Sequence, residues 1–228
     1  MMLLRRAAFL QRKEFFNMIA IVDYGVGNLF SLQSSLKAIG AEVTITGDAA
    51  VLEKADKIIL PGVGAFADAA SKLKQNDLHK VVISQARQGK PLMGICLGMQ
   101  LLFDESEEYG LHKGLGLIPG RVISMKGIVP DEYKIPHIGW NHLIFPQKRG
   151  HENPADKSPI FSNVNEGDCV YFVHSFFASD CSQYVTACTE YGKLLTAAVQ
   201  KDNIFGCQFH PEKSGSAGLS ILKSFCSL

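Results

Sequence analysis

The sequence has no apolar stretch approaching the roughly 20 residues that a bilayer-spanning helix needs, so no helical membrane span is expected. It also lacks an excess of one charge. Twenty-three basic and 22 acidic side chains leave a net +1, and no long-range field draws such a chain to nucleic acid or an anionic membrane. Its six cysteines include no C-x-x-C pair, which removes zinc-ribbon and thioredoxin-like readings. No group of His, Cys and Asp has ligand spacing, so neither a metal nor another cofactor is expected. A chain of 228 residues buries most of its apolar surface without disulfide staples. Apart from Cys96, the cysteines are expected to be small buried hydrophobes. No internal repeat, low-complexity tract or linker divides the sequence, which predicts one domain.

The first 17 residues differ in texture from the rest. Arg5, Arg6, Arg12 and Lys13 against Glu14 give +3, and no apolar stretch there exceeds the four residues of Ala7–Leu10. That is shorter than the roughly 7–15 apolar residues of a secretory leader. The segment contains no serine, unlike an organelle transit peptide. Residues 1–17 are therefore read as an extension, either disordered or upstream of a true start at Met18, and residues 18–228 as the domain. A cytoplasmic location is expected.

What is present is an alternation of short apolar runs and amphipathic segments. Met18–Val22, Lys57–Leu60 and Pro91–Ile95 are apolar in the manner of buried parallel strands, and Val43 and Ile45 mark another. Leu29, Leu32, Leu36 and Ile39 recur at helical spacing until Gly40. A helix is predicted from about Phe66 to Gln88, broken near Asn76-Asp77, and another over Leu97–Glu107. Strands alternating with helices imply an α/β fold on a mostly parallel sheet. After Gly114 the texture changes to turn-linked strands, much of it antiparallel: Arg121–Met125, His137–Phe145, Cys169–Phe177, Tyr184–Thr189, Leu195–Val199 and Phe205–Phe209. Ser214–Leu228 closes as a helix with Leu219, Leu222 and Phe225 on one face.

Three segments carry chemistry. Gly94-Ile95-Cys96-Leu97-Gly98 is G-x-C-x-G between a strand and a helix. This is the cysteine form of the nucleophile elbow, in which a strained turn lifts the nucleophile above the sheet; the bland alternative is a buried cysteine between packing glycines. His210-Pro211-Glu212 follows an apolar strand, and an extended chain would point His210 and Glu212 the same way. A cysteine nucleophile needs such a base, with a third group to orient it. Leu60-Pro61-Gly62-Val63-Gly64 follows another strand and has the flexibility to aim backbone N–H groups at an oxyanion. By itself a P-G-x-G loop is more often just a tight turn.

Taken in order, PGVG, GxCxG and HPE resemble the class I glutamine amidotransferase family. Finer wording is similar to that family's glutaminase subunits of imidazole glycerol phosphate synthase: Ile21–Leu29, Leu60–Phe66, Gly94–Phe103, Ile138–Asn141, Tyr171–Ser175 and Gln208–Ser214. Together these blocks extend the resemblance over residues 18–228. It implies a flavodoxin-like three-layer sandwich with a mostly parallel central sheet and an added antiparallel part. It further implies hydrolysis of L-glutamine through a γ-glutamyl thioester on Cys96, with His210 and Glu212 completing a triad and the backbone of Val63 and Leu97 forming the oxyanion hole. Glutamine would be held by Gly62, Gly64, Gln100, Glu108, His174, Ser175 and Phe176. Asn28, Trp140 and Lys213 match positions facing a (β/α)8-barrel cyclase subunit in a heterodimer, which would receive the ammonia. Three alternatives stay open at this level: a glutaminase serving another synthase, a non-catalytic regulator of a barrel partner, and a cysteine hydrolase sharing only the elbow.

Overall fold

The computed structural model describes residues 18–75, 77–146 and 157–228. The expected extension, residues 1–17, lies outside the described residues. The strands β1 (Ile19–Val22), β3 (Lys57–Leu60) and β4 (Leu92–Ile95) are buried along their whole length, with β2 (Val43–Thr46) half-buried beside them. They share one seven-stranded sheet with β11 (Val185–Glu190), β12 (Leu194–Lys201) and β13 (Ile204–Cys207), in the order β11-β12-β13-β4-β3-β1-β2. From β13 to β2 every pairing is parallel; β11, β12 and β13 pair antiparallel.

Successive residues on a strand face opposite ways, and a continuous apolar run therefore serves two cores at once. Ala20, Val22, Ile58 and Leu60 pack toward α2 (Ala49–Lys54), α3 (Phe66–Gln75) and α4 (Leu78–Arg87). Ile19, Ile21, Ile59 and Met93 pack toward α1 (Leu29–Ala38) and α6 (Gly215–Cys226). Helices thus cover both faces, giving the three layers expected. The expected break in the long helix is real: Asp77 takes a left-handed φ of 54° between α3 and α4. Short α2 has no apolar periodicity long enough to read from sequence; Asp48 caps it, accepting from the amides of Ala50 and Val51. On α6 the buried residues include Gly218, Ile221, Leu222 and Phe225, while Leu219 is half-buried.

The expected helix over Leu97–Glu107 is a correction. Only α5 (Leu97–Leu101) is helical, and the chain then enters β5 (Phe103–Ser106). Leu101, Leu102 and Phe103 are all fully buried, so the apolar pattern carried no face to distinguish helix from strand. Pairing with β6 (His112–Lys113) and β7 (Ile118–Ser124) decided it. The single strand expected over Cys169–Phe177 is likewise two, β9 (Cys169–His174) and β10 (Phe176–Ser179), divided at Ser175. Here β9 forms a two-stranded ribbon with β8 (His137–His142), whereas β10 joins a second sheet of order β10-β7-β5-β6. Four cysteines other than Cys96 are buried as expected; Cys169 is only half-buried.

Candidate active site

The site is built at the end of β4. Cys96 sits between that strand and α5 with φ 54° and ψ −113°, a conformation that costs a non-glycine residue of order 1–3 kcal/mol. Its neighbours hold it there. The Cys96 amide donates to Cys207 O at 2.7 Å, and its carbonyl accepts from the Gln100 amide at 3.1 Å. A Cβ on Gly98 would lie 1.9 Å from Leu60 O, and one on Gly94 would lie 2.6 Å from Gly98 O. The turn after β3 packs equally close: a Cβ on Gly62 would meet Gly98 N at 2.7 Å. Glycine is required wherever these backbones cross.

Strand β13 runs parallel to β4, with Cys207 opposite Ile95, so both chains leave the sheet at one edge. From Cys207 the chain continues through Gln208 and Phe209 to His210, which lines the same cavity as Cys96. The Nδ1 of His210 lies 2.9 Å from Glu212 Oε1, and both side chains are almost fully buried. The route to this contact differs from the one expected. Pro211–Lys213 is a short 3-10 turn rather than extended chain, and the turn folds Glu212 back under the ring. The His210 amide donates to Tyr171 O at 2.9 Å, while Ser214 Oγ donates to His210 O at 2.6 Å, fixing the backbone.

Among the described residues the buried Nε2 of His210 has no hydrogen-bond partner. The polar neighbours of the Cys96 sulfur are Gln208 Nε2 at 3.8 Å and Val173 O at 4.0 Å. The sulfur also stands beside the His210 ring and is the strongest of the influences that raise its pKa. Burial pushes the imidazole pKa down, but Cys96 and then Glu212 more than reverse this and hold it at about 10. Two acidic groups flanking one buried base fix that direction.

A cavity of about 330 Å³ opens over the sulfur. Val63, Gly64, Cys96, Leu97, Gln100, Glu108, His174, Ser175, Phe176 and His210 all line it. Glu212 stands behind the ring, and Gly62 packs against the elbow rather than facing the cavity. As the first residue of α5, Leu97 carries an amide with no acceptor inside the helix. Glu108 is not a freely solvated charge, since its Oε2 accepts from the Phe66 amide at 2.5 Å, at the start of α3. Burial pushes the His174 ring down to about 4 despite its bond to Phe176 O, so it is neutral near pH 7.

The three residues matched to a partner face lie away from the cavity wall. Trp140 is 57% exposed on the outward side of β8, edge-on to Tyr171 with centroids 6.0 Å apart. Lys213 Nζ stands 5.6 Å from the Tyr171 ring centroid. Asn28 precedes α1 without a side-chain capping bond. Trp140 is thus a surface residue, not a core anchor. Sequence reasoning assigned no role to Gln208 or His137, both buried beside the site. Their signal was slight: one amide and one imidazole within strand-like runs.

Comparison with known proteins bears on the family and the fold. Residues 20–227 match the family model described as glutamine amidotransferase class-I. A Geobacillus protein named imidazole glycerol phosphate synthase subunit HisH is 47% identical, over 92% of this chain and 97% of its own length. A protein of the same name from Methanothermobacter thermautotrophicus is 45% identical, covering 92% and 98% respectively. Among solved structures, PurLQS from Thermotoga maritima is similar in fold, with a TM-score of 0.69 at 22% identity over 92% of this chain and 97% of that one.

Proposed function

We propose, because the chain belongs to the class I glutamine amidotransferase family, that Cys96, His210 and Glu212 hydrolyse glutamine to glutamate and ammonia. The chain is a glutamine amidotransferase subunit of imidazole glycerol phosphate synthase, a reading supported by near-full-length relatives at 44–47% identity. The observation that carries the chemistry is the buried His210–Glu212 pair at 2.9 Å, set behind a strained cysteine in one cavity.

The ionised sulfur of Cys96 attacks the side-chain amide carbon, forming a C–S bond as the carbonyl π electrons move to oxygen. Backbone amides of Leu97 and Val63 stabilise that oxyanion. When the intermediate collapses the C–N bond breaks, and the His210 imidazolium gives its proton to the departing nitrogen, releasing ammonia. Water then attacks the thioester and loses its proton to His210. The C–S bond breaks and glutamate leaves. Glu212 keeps the ring oriented and stabilises its charged form. Glu108, Gln100 and residues 174–176 hold the amino-acid end of glutamine, the Glu108 carboxylate suiting its ammonium.

Ammonia passes to a cyclase subunit with a (β/α)8-barrel fold, docked on the face bearing Trp140, Lys213 and Asn28. There it reacts with the ribulosyl aminoimidazole-carboxamide nucleotide, which is cleaved to give imidazole glycerol phosphate and the aminoimidazole carboxamide ribonucleotide of histidine biosynthesis. Glutamate release by the full chain, alone and with the cyclase and its nucleotide, tests this reading. Slow turnover alone and faster turnover in the complex is the expected result; equal and fast turnover in both would contradict gating by the partner.

A further inference from the structure

We infer that Gln208 is a further catalytic residue, an N–H donor that steadies negative charge on the Cys96 sulfur both before attack and when the thioester is cleaved. The inference rests on the reading of Cys96 as the nucleophile.

The orientation of this amide follows from its partners. The two ends of a glutamine amide have nearly the same shape, so its neighbours must assign them. Phe176 O can only accept. It lies 3.1 Å from one end of the Gln100 amide, which must therefore be Nε2. That same Nε2 lies 3.0 Å from Gln208, and the Gln208 atom facing it must be Oε1. The remaining end, Nε2, is then directed at the sulfur 3.8 Å away. A flipped Gln208 would set nitrogen against nitrogen inside a closed core.

Burial gives the contact its strength. Gln208 has no exposed surface, and its backbone amide is tied to Ala197 O at 2.8 Å. Besides the His210 ring, the sulfur has two polar neighbours of opposite kind. As a thiol it has Val173 O at 4.0 Å to donate to. Once ionised it has no proton to give, and Gln208 then donates to it alongside the His210 imidazolium. A hydrogen bond made to the charged form of a group favours that form.

The test is the pH dependence of Cys96 alkylation by iodoacetamide in the full chain, followed on the Cys96 peptide by mass spectrometry, together with kcat and KM for glutamine in the cyclase complex. Gln208→Met keeps the length of the side chain, adds no charge and removes the donor; Gln208→Leu removes the donor with a shorter side chain. In each variant the alkylation midpoint is expected to rise by about one pH unit and kcat to fall about tenfold or more, while KM reports the lost acceptor for Gln100 and does not decide the inference. If Gln208→Leu does not fold, Gln208→Met decides alone. An unchanged midpoint overturns the inference whatever happens to kcat, because a packing role would lower activity without moving the thiol. The parent reading fails separately, if a Cys96→Ala chain still releases glutamate.

Discussion

His137 Nδ1 lies 3.1 Å from His174 Nε2, and this contact links the tautomers of the two rings. The Nδ1 of His174 donates to Phe176 O at 2.9 Å, leaving its Nε2 to accept from His137. His137 Nε2 in turn accepts from Asn141 Nδ2 at 3.3 Å. One more proton would set donor against donor, so both rings are neutral, and burial pushes each down to about 4.

The pair predicts acid lability. Unfolded histidines titrate near 6.5. Between about 6.5 and 4 the unfolded chain takes protons that the folded rings refuse, so stability falls as pH falls through this window. His210 acts oppositely: its raised pKa contributes stability that is complete below about 6.5 and lost as pH rises toward 10. Urea unfolding at several pH values should show a loss of order 2 kcal/mol from about pH 6.5 to 4.5, with a shallower slope in His137→Phe.

Removing the nucleophile should separate activity from stability. Cys96→Ala and Cys96→Gly should each lose about 10⁴-fold or more in glutamate release. Because position 96 has φ 54°, glycine relieves a strain that alanine keeps. The glycine variant should be about 1 kcal/mol more stable than the alanine variant by urea titration.

Glu212→Gln preserves the shape beside His210 but removes the charge. Its kcat should fall by about 10²–10⁴ with little change in KM. Losing the carboxylate lowers the pKa of the ring, so the alkaline limb of the kcat profile should move to lower pH. A profile left in place would remove Glu212 from the role of orienting His210.

Gly98→Ala tests the close crossing of the elbow and β3. A Cβ there meets Leu60 O at 1.9 Å, against rigid backbone. The variant should lose more than about 3 kcal/mol in urea unfolding or fail to fold. Gly127→Ala, whose added Cβ has open space but whose φ is 81°, should lose only about 1 kcal/mol.

The sequence by itself determined the strand–helix alternation, the elbow around Cys96 and the pairing of His210 with Glu212, because each is a local pattern of residue types. Buried parallel strands announce themselves as continuous apolar runs, and G-x-C-x-G marks where backbone crosses backbone. Tertiary structure alone decided the rest. It converted 103–106 from expected helix to strand, since residues buried on every side carry no period. It split the expected strand at Ser175 between two sheets, and it folded Glu212 back through a turn instead of an extended chain. It also aligned Gln100, Gln208 and the two histidines; the Gln100–Gln208 bond alone joins residues 108 apart in the chain. Such contacts depend on which strands become neighbours, and no local window of sequence contains that information.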